Sequence, residues 1–246
     1  MGPTLLDLLF QNRSKFSDVM PKALLRKPHR EVGLAEEFFK FKKRHPRLKL
    51  TTKDAADPGK YVNLVDRIHQ DLGVAWTYGG WLENREQLFA DTYLQETGAW
   101  IHLGIDINVP VGTPILAALK GTVYLVNTDY PEPGGWGNFV IVKHEIKKVV
   151  FYSIYGHLAS SGLVSSGVNV INGRVLGKVG TYNENGFWRP HTHFQFISEA
   201  EMKKRENPFT LDGYGKPEDL PYLRQHYPDP LVCLPMTDLP KKKAAH

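Results

Sequence analysis

Ile101-His102-Leu103-Gly104-Ile105-Asp106-Ile107 alternates polar or small residues with branched apolar ones. Successive side chains of an extended strand point to opposite faces, so His102, Gly104 and Asp106 are expected on one face and Ile101, Leu103, Ile105 and Ile107 on the other. A second stretch, His191-Thr192-His193-Phe194-Gln195-Phe196, has the same rhythm, with His191, His193 and Gln195 together and Thr192, Phe194 and Phe196 turned away. Two such strands can bring imidazoles and a carboxylate to one point, a donor set that suits zinc. Spacing alone does not say which of His191 and His193 coordinates.

Around these segments the composition is that of a β domain. Strands are expected at Trp100-Ile107, Thr122-Val126, Asn138-His144, Val149-Tyr155, Arg174-Val179 and His191-Ile197, separated by Gly, Pro and Asn, at the short spacing of an antiparallel sandwich or barrel. Tyr155-Gly156-His157-Leu158 follows the fourth of these, where the chain is expected to leave the sheet and His157 can lean over a site. Earlier, Tyr61, Leu64, Val65, Ile68 and Leu72 recur at helical spacing after an Asp57-Pro58 start. The expected organisation is a helical N-terminal annex over residues 1–75, a β domain over 76–205, and a proline-rich wrap ending in a basic tail over 206–246.

At 246 residues the chain can bury a substantial core. Its one cysteine, Cys233, excludes an intramolecular disulfide and a four-cysteine zinc site. No apolar run approaches the ~20 residues that cross a bilayer, and the short Thr4-Phe10 stretch lacks a basic flank and a cleavage site. As the sequence stands a cytoplasmic location is expected; a removed leader or another export route would make it periplasmic or secreted. The net charge of +5 comes from residues 1–60, with 14 Lys or Arg against 7 Asp or Glu. The run Lys40, Lys42, Lys43, Arg44, Arg47 and Lys49 reads as a solvated helix face, so nucleic acid is not an expected partner.

The order of phrases around the polar residues extends the pattern. Val109-Pro110-Val111-Gly112-Thr113-Pro114-Ile115, Gly121-Thr122-Val123, Gly137-Asn138-Phe139-Val140, Tyr155-Gly156-His157-Leu158, Asn172-Gly173 through Gly180, and Pro190-His191-Thr192-His193-Phe194 follow one another between Trp100 and Ser198. This stretch resembles the lysostaphin-like zinc metallopeptidases, the LytM-type peptidase domain with a duplicated hybrid motif. The resemblance implies that His102, Asp106 and His193 bind Zn2+, and that His157 and His191 are the catalytic imidazoles. It also implies a zinc metalloendopeptidase that hydrolyses a peptide bond, in peptidoglycan cross-bridges for most relatives, through a metal-activated water.

Two departures from the family bear on activity. Gln195 stands where relatives have Glu, and a neutral amide cannot raise a ligand's basicity as a carboxylate does. Trp188 and Arg189 replace the small residues usual before the histidine pair, as a pocket wall and substrate-binding fork or as a core cap and a solvated charge. These motivate an alternative, a metal-binding regulatory module without catalysis. A third reading, the phosphate-accepting histidine of sugar-phosphotransferase carriers, conflicts with Asp106, whose charge would repel a phosphohistidine. Trp136, Tyr78 and Trp81 are candidate cleft-rim aromatics, Arg85 matches an arginine upstream of the first motif in many relatives, and His29, His45, His69, His144, His226 and His246 are expected to be surface or strand histidines.

Overall fold

A computed structural model describes residues 4–56, 58–90, 93–129, 134–205 and 212–235. In chain order the elements are α1 (Leu5–Gln11), α2 (Lys22–Leu25), β1 (His29–Glu31), α3 (Leu34–Arg44), α4 (Thr52–Ala56), α5 (Pro58–Leu72), β2 (Trp76–Gly79) and α6 (Tyr93–Thr97). There follow β3 (Ile101–His102), β4 (Ile105–Asn108), β5 (Pro114–Leu116), β6 (Gly121–Asp129), β7 (Gly137–Ile146), β8 (Val149–Leu158), β9 (Asn169–Val170), β10 (Val175–Lys178) and β11 (Thr192–Ser198). The C-terminal part adds α7 (Glu199–Lys203), β12 (Tyr214–Gly215) and α8 (Leu220–His226).

Eight strands form one open sheet in the order β1-β2-β4-β11-β8-β7-β6-β9. The expected mainly β architecture with N-terminal helices is present. The sheet does not close into a barrel, and β1 pairs with β2 in parallel at an otherwise antiparallel sheet. Within the segment read as helical, β1 is thus a strand, too short and too polar (His29, Arg30, Glu31) to show a period.

Alternation along the central strands buries both faces of the sheet. Val140, Val142, Phe151, Tyr155, Phe194 and Phe196 face one core, which α1 and the following turn cover with Leu8, Leu9, Phe16, Val19 and Met20. Phe139, Ile141, Tyr152, Ile154 and Ile197 face the other, closed by Met202 of α7, Leu223 of α8 and Tyr227. Helices α3 and α5 form a third cluster, Leu34, Phe38 and Phe41 against Leu64, Val65 and Ile68, so the helical period read at Leu64-Val65-Ile68 is a buried stripe. Leu88, Phe89, Trp100, Trp188 and Tyr214 join that cluster, bringing the helices against the β domain.

The expected strand Trp100-Ile107 breaks at Leu103-Gly104. Its first half, β3, pairs with β12, whereas β4 stays in the large sheet between β2 and β11. Ile101 and Leu103 therefore pack with α8 while Ile105 and Ile107 lie in the opposite core, correcting the single apolar face. A Cβ on Gly104 would lie 2.5 Å from the Phe194 carbonyl oxygen and 2.7 Å from His193 Nε2, so at the break the two backbones approach too closely for any side chain. Of the C-terminal segment 206–246, residues 212–235 are described and include β12 and α8; its Asn207-Pro208 pair and the basic tail lie outside the described residues. No helix among the described residues is long and apolar enough to cross a membrane.

Candidate metal centre

Three strands and one bulge assemble the polar cluster. Asp106 on β4 is the register partner of His193 on β11 and of Gly79 on β2. His102 on β3 reaches the same point from the side because β3 has left the sheet. His157 lies within β8, which continues to Leu158 and does not end at Tyr155. The β7–β8 register slips between Asn138 and Val140, and His157 has φ +64°, so a β-bulge turns this side chain into the site.

His102 Nε2 and His193 Nδ1 are 2.9 Å apart. Asp106 Oδ1 lies 3.2 Å from His102 Nε2 and 3.5 Å from His193 Nδ1. These three residues are the one group of potential ligands found among the described residues. The outer nitrogen of each ring is already committed as a donor: His102 Nδ1–H to the Gly80 carbonyl at 2.8 Å, and His193 Nε2–H to Gln195 Oε1 at 2.8 Å. Both inner nitrogens therefore present lone pairs, to each other and to a carboxylate oxygen. Asp106 Oδ1 is buried and has no hydrogen-bond partner among the described residues. Three converging acceptors without a proton between them repel one another unless a cation sits among them, so the donor set fits a metal ion.

The other oxygen, Asp106 Oδ2, is fully engaged. Arg85 Nη2 donates to it at 2.9 Å and Arg189 Nη2 at 3.0 Å. Arg85 is further held by Glu83 through Nε and by the Tyr214 hydroxyl through Nη1, and Arg189 Nε donates to Asn108 Oδ1 at 2.8 Å. Burial opposes ionisation of Asp106, yet the permanent charge of Arg85 beside it helps to hold its pKa well below the usual carboxylate value. Burial, reinforced by the Arg85 charge, pushes His102 down to about 3, so its ring is neutral at physiological pH.

His157 and His191 flank this centre, their ring centroids 4.3 Å apart. Each has Nδ1 pinned as a donor to a backbone carbonyl, Asn185 at 2.7 Å and Arg189 at 2.8 Å, so Nε2 is the nitrogen left to accept a proton, that of His191 lying 3.5 Å from Asp106 Oδ1. Burial lowers both pKa values, that of His157 to about 3. His157, His191, His193 and Asp106 line a cleft of about 260 Å³ whose walls include Trp136, Trp188 and Tyr214.

All five residues singled out in the sequence are thus in one place. The outlying histidines are elsewhere: His29 stacks on Trp76, His45 pairs with Asp71, His69 and His144 bond hydroxyls of Thr77 and Ser153, and His226 bonds Ser198; His246 lies outside the described residues. Trp136 and Trp188 do line the cleft, whereas Tyr78 belongs to the core and Trp81 bonds the Tyr227 carbonyl. Arg189 is not a solvated charge. It is 3% exposed and clamps Asp106. No sequence pattern marks Gly80, Glu83 or Tyr214, which act through a carbonyl or through contacts distant in the chain; the sequence marks Arg85 but gives it no role.

Residues 100–208 match peptidase family M23. The chain is 34% identical over 110 residues to an uncharacterized metalloprotease of Haemophilus influenzae, covering 45% of this chain and 21% of that protein. It is 32% identical over 95 residues to the DD-carboxypeptidase/endopeptidase Mpg of Neisseria meningitidis serogroup B, covering 39% and 20%. The catalytic domain of the antimicrobial peptidase lysostaphin from Staphylococcus simulans is 23% identical, with 51% of this chain and 80% of that one covered and a TM-score of 0.35. The resemblance to lysostaphin-like metallopeptidases accordingly stands for the segment 100–208. The chain spans about a fifth of the length of these curated relatives.

Proposed function

We propose that the protein is a zinc-dependent endopeptidase that hydrolyses a peptide bond in peptidoglycan or a related peptide, with His102, Asp106 and His193 holding the metal. The observation that carries this reading is the buried, partnerless Asp106 Oδ1 facing two imidazole lone pairs. The match of residues 100–208 to a peptidase family supports it. Bound zinc would polarise the scissile carbonyl and acidify a water molecule. Around it, Arg85 and Arg189 keep Asp106 Oδ2 occupied, so the carboxylate offers one oxygen to the metal. Gln195 and Gly80 fix which nitrogens of His193 and His102 point inward. His157 and His191, whose Nδ1 atoms are held by backbone carbonyls, would use Nε2 to accept a proton from the attacking water and return it to the leaving amine. The aromatic walls narrow the cleft around an extended peptide.

A second reading, a metal-binding module without catalysis, is favoured by Gln195 and by the two guanidiniums on Asp106, which together reduce the negative charge that the ligands bring to the metal. Digestion of purified peptidoglycan and of a diverse peptide library, with and without chelator and followed by mass spectrometry, separates the two. New amine termini made by the wild type, lost on chelation and restored by zinc, are expected. Stoichiometric zinc with no cleavage of any substrate would transfer the assignment to the second reading.

A further inference from the structure

Glu83 lies outside the segment that matches the peptidase family, yet it joins an N-terminal helix to the metal centre. Gly33 at the start of α3 provides no side-chain cap. Glu83 Oε1 takes that place, accepting the Ala35 amide at 2.9 Å and the Glu36 amide at 3.2 Å. Its other oxygen, Oε2, accepts from Arg85 Nε at 2.9 Å, and Arg85 Nη2 donates to Asp106 Oδ2 at 2.9 Å. The links are shielded from water: the side chains of Glu83, Arg85 and Asp106 are 11%, 4% and 3% exposed. They are also closely fitted. A Cβ on Gly33 would lie 2.4 Å from Glu83 Oε1, and one on Gly80 would lie 2.8 Å from Arg85 Nη2 and 3.1 Å from Glu83 Oε2.

We propose that Glu83 is a positioning residue for the metal centre, coupling the docking of α3 to the orientation of Asp106 through Arg85. The N-terminal amides and dipole of α3 hold a carboxylate. That carboxylate fixes a planar guanidinium, which has only one orientation in which Nε meets Glu83 while Nη2 meets Asp106. With Oδ2 so occupied, Oδ1 is the oxygen presented to His102 and His193. Coupling of this kind is reciprocal. If docked α3 favours the metal-binding rotamer of Asp106, metal binding must favour docked α3 by the same free energy. The Ala35 and Glu36 amides, remote from the cleft, then report on the metal.

The inference rests on the metal reading above and is tested with zinc alone as the probe. Site-resolved hydrogen exchange is measured on the full chain with and without zinc, in the wild type, Glu83→Ala and Glu83→Gln, alongside zinc affinity from chelator competition. In the wild type, zinc is expected to slow exchange at Ala35 and Glu36. Glu83→Ala should make these amides fast and indifferent to zinc, and should weaken zinc by about 10-fold or more, as loss of groups supporting metal ligands does. Glu83→Gln keeps an acceptor for α3 but loses the negative charge that faces Arg85, so slow exchange should return in part while its response to zinc stays small. Wild type that binds zinc without any change at Ala35 and Glu36, or Glu83 variants that bind it as tightly as wild type, would overturn the coupling. Wild type that binds no zinc would overturn the metal reading and this proposal with it. Should Glu83→Ala fail to fold, the Glu83→Gln comparison decides by itself.

Discussion

The two oxygens of Asp106 have opposite surroundings, and substitutions there should separate structure from metal binding. Oδ2 neutralises two buried guanidiniums, whereas Oδ1 meets only lone pairs. Asp106→Ala leaves Arg85 and Arg189 buried without their shared anion, a defect of about 3–5 kcal/mol by analogy with broken buried pairs. Asp106→Asn keeps an acceptor for the guanidiniums and should cost less stability while still abolishing stoichiometric zinc, read by urea denaturation and by elemental analysis of the same samples. Gln195 is the second informative residue. Its Oε1 orients His193, and its amide nitrogen is buried with no hydrogen-bond partner among the described residues. Gln195→Glu should raise the basicity of His193 and tighten zinc by roughly 10-fold in chelator competition; unchanged or weaker binding would mean that burying the new charge outweighs the gain.

At the level of elements, the break between β3 and β4 is what lets His102 approach His193. Gly104 sits there with Phe194 backbone 2.5 Å from where a Cβ would be, and backbone cannot swing aside as a side-chain tip can. Gly104→Ala is expected to destabilise by about 1–3 kcal/mol, in the range of overpacked interiors, and to weaken zinc at the same time. A matched loss in the denaturation midpoint and in zinc affinity checks this; loss of stability alone would show that the break is not needed for the ligand geometry. The bulge in β8 belongs to the same scale. Its consequence, His157 inside a strand with positive φ, could not be read from Val149-Tyr155, whose alternation is regular up to the bulge.

For the molecule as a whole, acid stability depends on buried neutral histidines. His144 donates Nδ1–H to the Lys120 carbonyl and accepts from Ser153 at Nε2, with Tyr155 next in the chain of hydroxyls. Burial lowers its pKa from 6.5 to about 4. Below pH 6.5 the unfolded chain therefore takes up a proton that the folded chain refuses, so stability is complete above pH 6.5 and falls as pH drops toward 4. The loss amounts to about 3 kcal/mol at ~1.4 kcal/mol per pKa unit. Other buried histidines act in the same direction, so the contrast of wild type with His144→Gln isolates this one. Urea stability measured from pH 7 to pH 4 should fall more steeply for the wild type, and parallel curves would remove His144 from the account.

Much of the site was legible in the amino-acid order because strand alternation is a local property. Ile101-Ile107 and His191-Phe196 each carry their polar residues on one side whatever surrounds them, and the order of phrases between Trp100 and Ser198 supplied the family resemblance. Local order also gave the buried stripe of α5. It could not give β1, whose three residues are polar, or the place of β2 beside β4. Nor could it show that Arg189, adjacent in sequence to the histidine pair, turns inward to Asp106, or that Glu83 and Tyr214 converge on Arg85 from segments 131 residues apart. The sequence by itself determined which donors could meet: two imidazoles and a carboxylate on β-strands. Only the tertiary structure decided which atom of each faces inward, because that choice depends on where the other nitrogen or oxygen is bound. Gly80, Gln195, Arg85 and Arg189 make that choice through hydrogen bonds that exist only once distant parts of the chain have packed together.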